Sequence, residues 1–445
     1  MTQADNQALY HAKRVSAAEA AAMIPSGAKV TMALGAGQPP AILDALAERA
    51  RAGQINDVRL YYLLCTGIAG GSIFDFALRD RLRPVSYFHG TVERALDKLH
   101  QAEGLPAVDI VPCHFSQVPR SMVEHVGVDT LVATVSPMDA QGRFSLGAST
   151  DYSLAVARKP GVRLILEVNA NMPYVHGDCM IPLADVTALV ENDAPLPTLP
   201  SAPPNPIDNA IGTTIAGLVS DGACLQMGIG ALPDAVCAAL ANHRHLGIHT
   251  ELMTPGLAAL VHSGVVDNSR KQIHAGRSVF TFALGDRPLY DFLHDNPEVE
   301  AHPVEHVNDP AIIARNDNVV SVNATLQIDL GGACNSEFMN GRQFSGTGGQ
   351  VDFVRGAYGS RGGRSIIACH STAARGTISR ITPALSGPTT TLRTDTHIVV
   401  TEYGWTCLKG KTMAERARAL IAIAHPDFRE GLDRAAYEAG LYAPA

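Results

Sequence analysis

The sequence predicts an α/β protein with largely parallel sheets, built in two halves. Three observations carry this. Short β-rich runs alternate with helical stretches along the chain. A proline-rich segment interrupts it near the middle. One strand–turn–helix pattern stands on both sides of that segment.

The elements follow from local chemistry. Ser16 ahead of AAEAAAMI reads as a capped helix, because a serine oxygen there accepts an orphan backbone N–H. Residues 40–53 and 233–243 read as helices with proline in the first turn, where its missing N–H costs nothing. Residues 413–424 form another helical pattern. The runs VRLILEV (162–168), RSIIAC (364–369) and THIVVTEY (396–403) read as buried strands. Asp193–Pro206, DAPLPTLPSAPPNP, carries six prolines and reads as an extended linker. The expected division is a domain over 1–195, a linker over 196–206 and a domain over 207–445. GAKVTMALGAGQPPAILDALA, from Gly27, matches GACLQMGIGALPDAVCAALA, from Gly222, once one residue is inserted. Both read as a strand, a Gly-x-Gly turn and a proline-started helix, which suggests an internal duplication.

Composition narrows the function. The 445 residues carry a formal charge of -8 with no Lys/Arg tract, so no nucleic-acid partner is expected. The first residues, MTQADNQALYHAKR, lack the apolar core of a signal peptide, and no apolar run approaches the ~20 residues of a membrane span. Eight cysteines are scattered without a CxxC pair, mostly in apolar stretches, as in a reduced cytoplasmic protein. A cytoplasmic homo-oligomer without a membrane partner is the expectation.

Several familiar motifs fail. Gly35-Ala-Gly37-Gln-Pro-Pro and Gly228-Ile-Gly230-Ala-Leu-Pro place proline where a dinucleotide fingerprint needs its third glycine. Gly404 to Gly410-Lys411-Thr412 has one residue too many for a phosphate loop and reads as a strand end leading into a helix. There is no G-x-S-x-G and no HExxH. His243, His245 and His249 have spacing that could ligate zinc, although the first two fit a solvated loop equally. No metal is expected.

Three segments carry chemistry. Gly228-Ile229-Gly230-Ala231-Leu232 follows a strand and opens a helix, offering amides and a positive dipole end to an anionic group. Glu251 ends the apolar run LGIHTEL before the turn Thr254-Pro255-Gly256, as either a reactive or an ordinary strand-end carboxylate. Ser345-Gly346-Thr347-Gly348-Gly349-Gln350 opens a glycine-dense stretch reaching Gly362-Gly363-Arg364. Its amides can approach a substrate without Cβ interference and form an oxyanion hole.

GIGALPDAV, GIHTEL, GTGGQVDFVRGAYGSRGGRSI and VTEYG with the LKGKTMAERARALIAIAHPDFRE tail together resemble the acetyl-CoA hydrolase/transferase family, a class I CoA-transferase group. SPMDAQGRFSLG and EVNANMPYVHGD look like its amino-terminal motifs, so the resemblance spans nearly the whole chain. It implies two similar α/β domains, each an open sheet flanked by helices, with the active site between them. It implies that Glu251 is the nucleophile, that Gly228 to Leu232 contact CoA, and that Gly346, Gly348 and Gly349 bind the thioester region. Arg364 stands where members often have lysine and is implied to reach CoA, although a planar guanidinium does so differently.

The implied reaction moves CoA between a short-chain acyl-CoA and a carboxylic acid through a glutamyl-CoA thioester, with ping-pong kinetics. CoA enters as a substrate, and no tightly bound cofactor is called for. Members acting on 4-hydroxybutyrate or butyrate often have a Gly-His-Ala turn where this chain has Leu34-Gly35-Ala36-Gly37. Residues 61–84 and 88–97 look more like the bacterial itaconate CoA-transferase branch; Arg83 or Arg94 could pair with a second carboxylate, or be ordinary surface arginines. Acyl-CoA hydrolysis on the same scaffold and a catalytically silent CoA-binding protein are the competing readings.

Overall fold

The computed structural model describes residues 2–100, 107–199 and 203–442. The chain forms two compact units. The first comprises Met1–Pro200 with Met253–Pro255 and Val279–Val307; the second comprises Ser201–Leu252, Gly256–Ser278 and Asn308–Ala445. Two stretches from beyond the proline-rich segment thus belong to the first unit, where a division at 196–206 would leave them in the second. Of that segment, residues 200–202 lie outside the described residues.

The first unit is built on a seven-stranded sheet whose neighbours are all parallel. Its strands lie in the order Ala188–Glu191, Arg163–Val168, Thr130–Val135, Lys29–Met32, Val58–Tyr62, Leu82–Ser86, Asp109–Ile110. The chain order reverses between Lys29–Met32 and Thr130–Val135, the crevice where open α/β sheets commonly bind ligands. Here the chain fills that crevice itself. The Gly37 amide donates to Ser149 Oγ, the Thr134 hydroxyl donates to the Gln38 carbonyl, and a Cβ on Gly37 would stand 2.7 Å from that of Ser149. Helix Pro40–Arg51 packs on this sheet through Ile42, Leu43, Leu46, Ala47 and Ala50, a stripe at helical spacing.

In the second unit the strands run in the order Gly404–Cys407, Ile398–Thr401, Arg364–Ala368, Val319–Ala324, Cys224–Met227, Gly247–Met253. Gly404–Cys407 pairs antiparallel and the others parallel. The order reverses between Val319–Ala324 and Cys224–Met227. Helix Gln350–Gly359 lies against Val319–Ala324 and Arg364–Ala368. Val354, Ile367, Val399, Leu420 and Leu432 share one apolar core. Helix Met413–Ala422 starts at a capping box in which Thr412 and Glu415 satisfy each other's backbone amides.

The cysteines are all free, and six of the eight are buried. Among the described residues no helix is long and apolar enough to cross a membrane.

Candidate active site

The site is built at the carboxyl ends of the strands of the second unit. Strand Gly247–Met253 is buried except at Glu251, which keeps some access to solvent. Two donors hold its carboxylate. Asn308 Nδ2 donates to Oε2 at 2.7 Å, and the Gly349 amide donates to the same group. A Cβ on Gly349 would lie 1.8 Å from Glu251 Oε2 and 2.3 Å from Asn308 Nδ2. Glycine is required there by contact, since its φ of -94° is open to any residue. Gly348, with φ of 55°, turns the chain through the left-handed region just before it. Gly346 is buried in the same segment.

The Glu251 carboxyl is pushed up to about 7. Its burial among protein atoms is the main cause, and the charge of Asp352 adds to it. The Asn308 and Gly349 hydrogen bonds work against both by favouring the ionised form. Asp352 is itself buried, in the first turn of the helix that Gly349 opens. A carboxylate tuned to the middle of the pH range, gripped by two donors and partly open to solvent, is equipped to act as a nucleophile or base.

The turn Gly228–Leu232 follows Cys224–Met227. Gly230, with φ of 116°, caps helix Ala231–Ala239 and offers it no side-chain acceptor. A helix start without a side-chain cap presents backbone amides and a positive dipole end of the kind that suits an anion. Ile229 is 47% exposed, and Ala231 and Leu232 are half-buried. Leu225 pairs with Ile248, so the strand that the turn follows lies next to the strand that carries Glu251, and both run in the same direction. The turn also lies at the chain-order reversal, with Val322 O 3.8 Å from where a Gly228 Cβ would stand.

Glu251 and Gly349 thus meet directly, Gly346 and Gly348 belong to the segment that ends in Gly349, and the Gly228–Leu232 turn follows the strand next to that of Glu251. Arg364 stands apart. It begins its strand in register with Val320, three residues before the level of Glu251 and three strands across, roughly 17 Å away. Its guanidinium donates to the Leu218 carbonyl. The implied contact of Arg364 with CoA gains no support from this placement. The histidines also separate: His243 meets the Val219 carbonyl, His245 pairs with Asp267 at 2.7 Å, and His249 is buried beside the Phe353 ring. In the first unit, Arg83 is exposed and 3.6 Å from Asp57, while Arg94 turns back to the His89 carbonyl and the Thr91 hydroxyl.

Asn308 and Asp352 escape sequence reasoning. Asn308-Asp309-Pro310 reads as a turn, and Asp309 does cap the helix Pro310–Ile313. In the structure Asn308 is fully buried, and its Oδ1 has no hydrogen-bond partner among the described residues.

The chain matches the acetyl-CoA hydrolase/transferase N-terminal domain over residues 1–200 and the C-terminal domain of the same name over residues 285–436. It is 42% identical to the succinyl-CoA:cyclohexane-1-carboxylate CoA transferase of Geobacter metallireducens over 96% of this chain and 95% of that protein. It is 41% identical to the 4-hydroxybutyrate coenzyme A transferase of Clostridium kluyveri, over 95% and 97% respectively. The crystal structure of RipA from Yersinia pestis superposes with a TM-score of 0.95 at 51% identity, covering 98% of this chain and all of that one.

Proposed function

The chain belongs to the acetyl-CoA hydrolase/transferase family, and from that premise we propose that it is a CoA-transferase working through a glutamyl-CoA thioester on Glu251. The observation that carries this reading is the Glu251 carboxylate held by Asn308 and Gly349 with its pKa near 7.

In the proposed cycle a Glu251 oxygen attacks the acyl-CoA carbonyl. The tetrahedral intermediate expels CoA thiolate and leaves a mixed anhydride between Glu251 and the acyl group. The thiolate then attacks the Glu251 carbonyl carbon, forming the thioester and releasing the first acid as its carboxylate. The incoming carboxylate reverses both steps and takes CoA away. No net proton is consumed, so no acid–base triad is needed. When thiolate attacks Glu251, negative charge develops on its carbonyl oxygen. The Asn308 amide donates to Glu251 Oε2 and the Gly349 N–H to the same carboxylate, which supports a role for both in stabilising that charge; a preorganised donor of this kind is worth about 3 kcal/mol. The thioester energy survives only if water is kept from the acylated Glu251.

The acids proposed are the itaconate, succinate, 4-hydroxybutyrate or acetate class, with CoA bound along the Gly228–Leu232 turn. The test is thiol release and CoA exchange measured on purified protein with each of these acids. Transfer that requires an acceptor acid supports the proposal. Free thiol released without any acceptor would make the chain a hydrolase.

A further inference from the structure

Building on the reading of Glu251 as nucleophile, we infer that Thr390 and Thr391 are positioning residues for the transfer: the pair clamps both ends of the glycine segment 345–349 and so fixes the Gly349 amide against the Glu251 carboxylate. The segment lies between a short hairpin, Phe338–Met339 paired with Arg342–Gln343, and the helix Gln350–Gly359. Neither neighbour alone holds it.

At the upstream end, the Phe344 and Ser345 amides donate to the Glu337 carbonyl at 2.7 and 3.1 Å, and Ser345 Oγ donates to the Ser336 carbonyl at 3.0 Å. Gln343 Nε2 spans the Ser345 carbonyl at 2.8 Å and Glu337 Oε2 at 3.3 Å. The other Glu337 oxygen accepts from the Thr390 hydroxyl at 2.9 Å, and that hydroxyl accepts from the Ser336 amide at 2.9 Å. At the downstream end, Gln350 is the first residue of the helix that Gly349 opens, and its Nε2 donates to Thr391 Oγ at 2.9 Å. The two threonines are tied together because both amides donate to the Cys334 carbonyl, at 2.8 and 3.1 Å.

Glu337, Gln350, Thr390 and Thr391 are all at least nine-tenths buried. Water cannot replace a lost partner at such sites, so each bond is held to its geometry. That stiffness matters because Gly349 meets Glu251 with no room for even a methyl group. A displacement of 1 Å at a reacting group typically costs about 10²-fold in rate.

The test is Thr391→Val, which keeps the shape and removes the acceptor, alongside Thr391→Ser, which restores it. Thr391→Val is expected to lower kcat by about 10²-fold with KM for the acyl-CoA unchanged. It should also move the acid limb of the pH–rate profile upward, because Glu251 loses the Gly349 donor while Asp352 still faces it. Thr391→Ser should restore both. A merely structural role would lower Tm and leave kcat and the limb where they were, and that result overturns the inference. Should Thr391→Val not fold, Gln350→Leu breaks the same bond from the other side and must give the same signature; an unaltered kcat and limb there is equally fatal. Hydroxylamine trapping on the unmodified protein separates the two levels. If it yields no adduct at Glu251, the nucleophile reading fails; an adduct with an unaffected valine variant sinks the clamp alone.

Discussion

Removing the Asn308 donor should slow transfer and shift its pH dependence together. Asn308 Nδ2 lies 2.7 Å from Glu251 Oε2, and the asparagine is fully buried. In Asn308→Ala the oxyanion formed at the Glu251 carbonyl loses one of its two donors. A preorganised donor of this kind is worth about 3 kcal/mol, which corresponds to a fall in kcat of about 10²-fold. The same bond favours the ionised carboxylate in the resting enzyme, against burial and Asp352. Its loss therefore pushes the pKa of Glu251 above about 7, and the acid limb of kcat/KM moves to higher pH. Asn308→Asp should move the limb further, because a second carboxylate joins Asp352 beside Glu251. The assay is steady-state transfer from an acyl-CoA to an acceptor acid across the acid-to-neutral range, with thermal melting to show that the fold survives. A kcat within a few-fold of the parent, with an unmoved limb, would refute the assignment of Asn308 to the Glu251 oxygen.

Three further outcomes follow from the same geometry. Gly349→Ala places a methyl group 1.8 Å from Glu251 Oε2, so it should displace the carboxylate and abolish transfer; near-parental activity in the transfer assay would contradict that contact. Glu251→Gln should be inactive yet more stable than the parent at alkaline pH. The parent's raised folded pKa means that its stability is full below about 4.5 and is lost as pH rises through about 7, a difference on the order of 3 kcal/mol. Urea unfolding at acid and alkaline pH should show the two proteins converging at low pH and separating at high pH; a constant difference would count against a buried ionisable Glu251. Arg364→Ala should lower Tm while leaving KM for CoA unchanged, because its guanidinium is committed to the Leu218 carbonyl. A raised KM without loss of Tm would restore the contact with CoA that the resemblance implies.

Local signals in the sequence were readable where one short stretch decides the outcome. Ser16 caps a helix over Ala17–Ala22, the 40–53 pattern yields helix Pro40–Arg51, and the three expected strands form at Arg163–Val168, Arg364–Ala368 and Ile398–Thr401. The helix expected over 233–243 begins earlier, at Ala231, because Gly230 turns the chain directly into it. The extended stretch expected over 193–206 gives way to helix only at its last residue, Asn205 itself being extended. Asn205 and Asp208 form a capping box there, and Pro206 occupies the first turn of helix Pro206–Ala216. Helix Gln3–Lys13, capped by Thr2, adds an element where the sequence pattern alone predicts none. At the site, Glu251 and the glycine segment were marked by their motifs. Asn308 was not, since its bond to Glu251 spans 57 positions and no local pattern encodes it. The two Gly-x-Gly turns look alike in sequence but differ in what surrounds them: Gly37 is sealed by Ser149, whereas Ile229 stands exposed.

The most direct measurement is the mass of the Glu251-bearing peptide after the protein is incubated with an acyl-CoA, treated with hydroxylamine and digested. A hydroxamate at residue 251, formed only when acyl-CoA is present and missing in Glu251→Gln, is the predicted result. An adduct on any other residue, or none during active turnover, would contradict covalent transfer through this carboxylate.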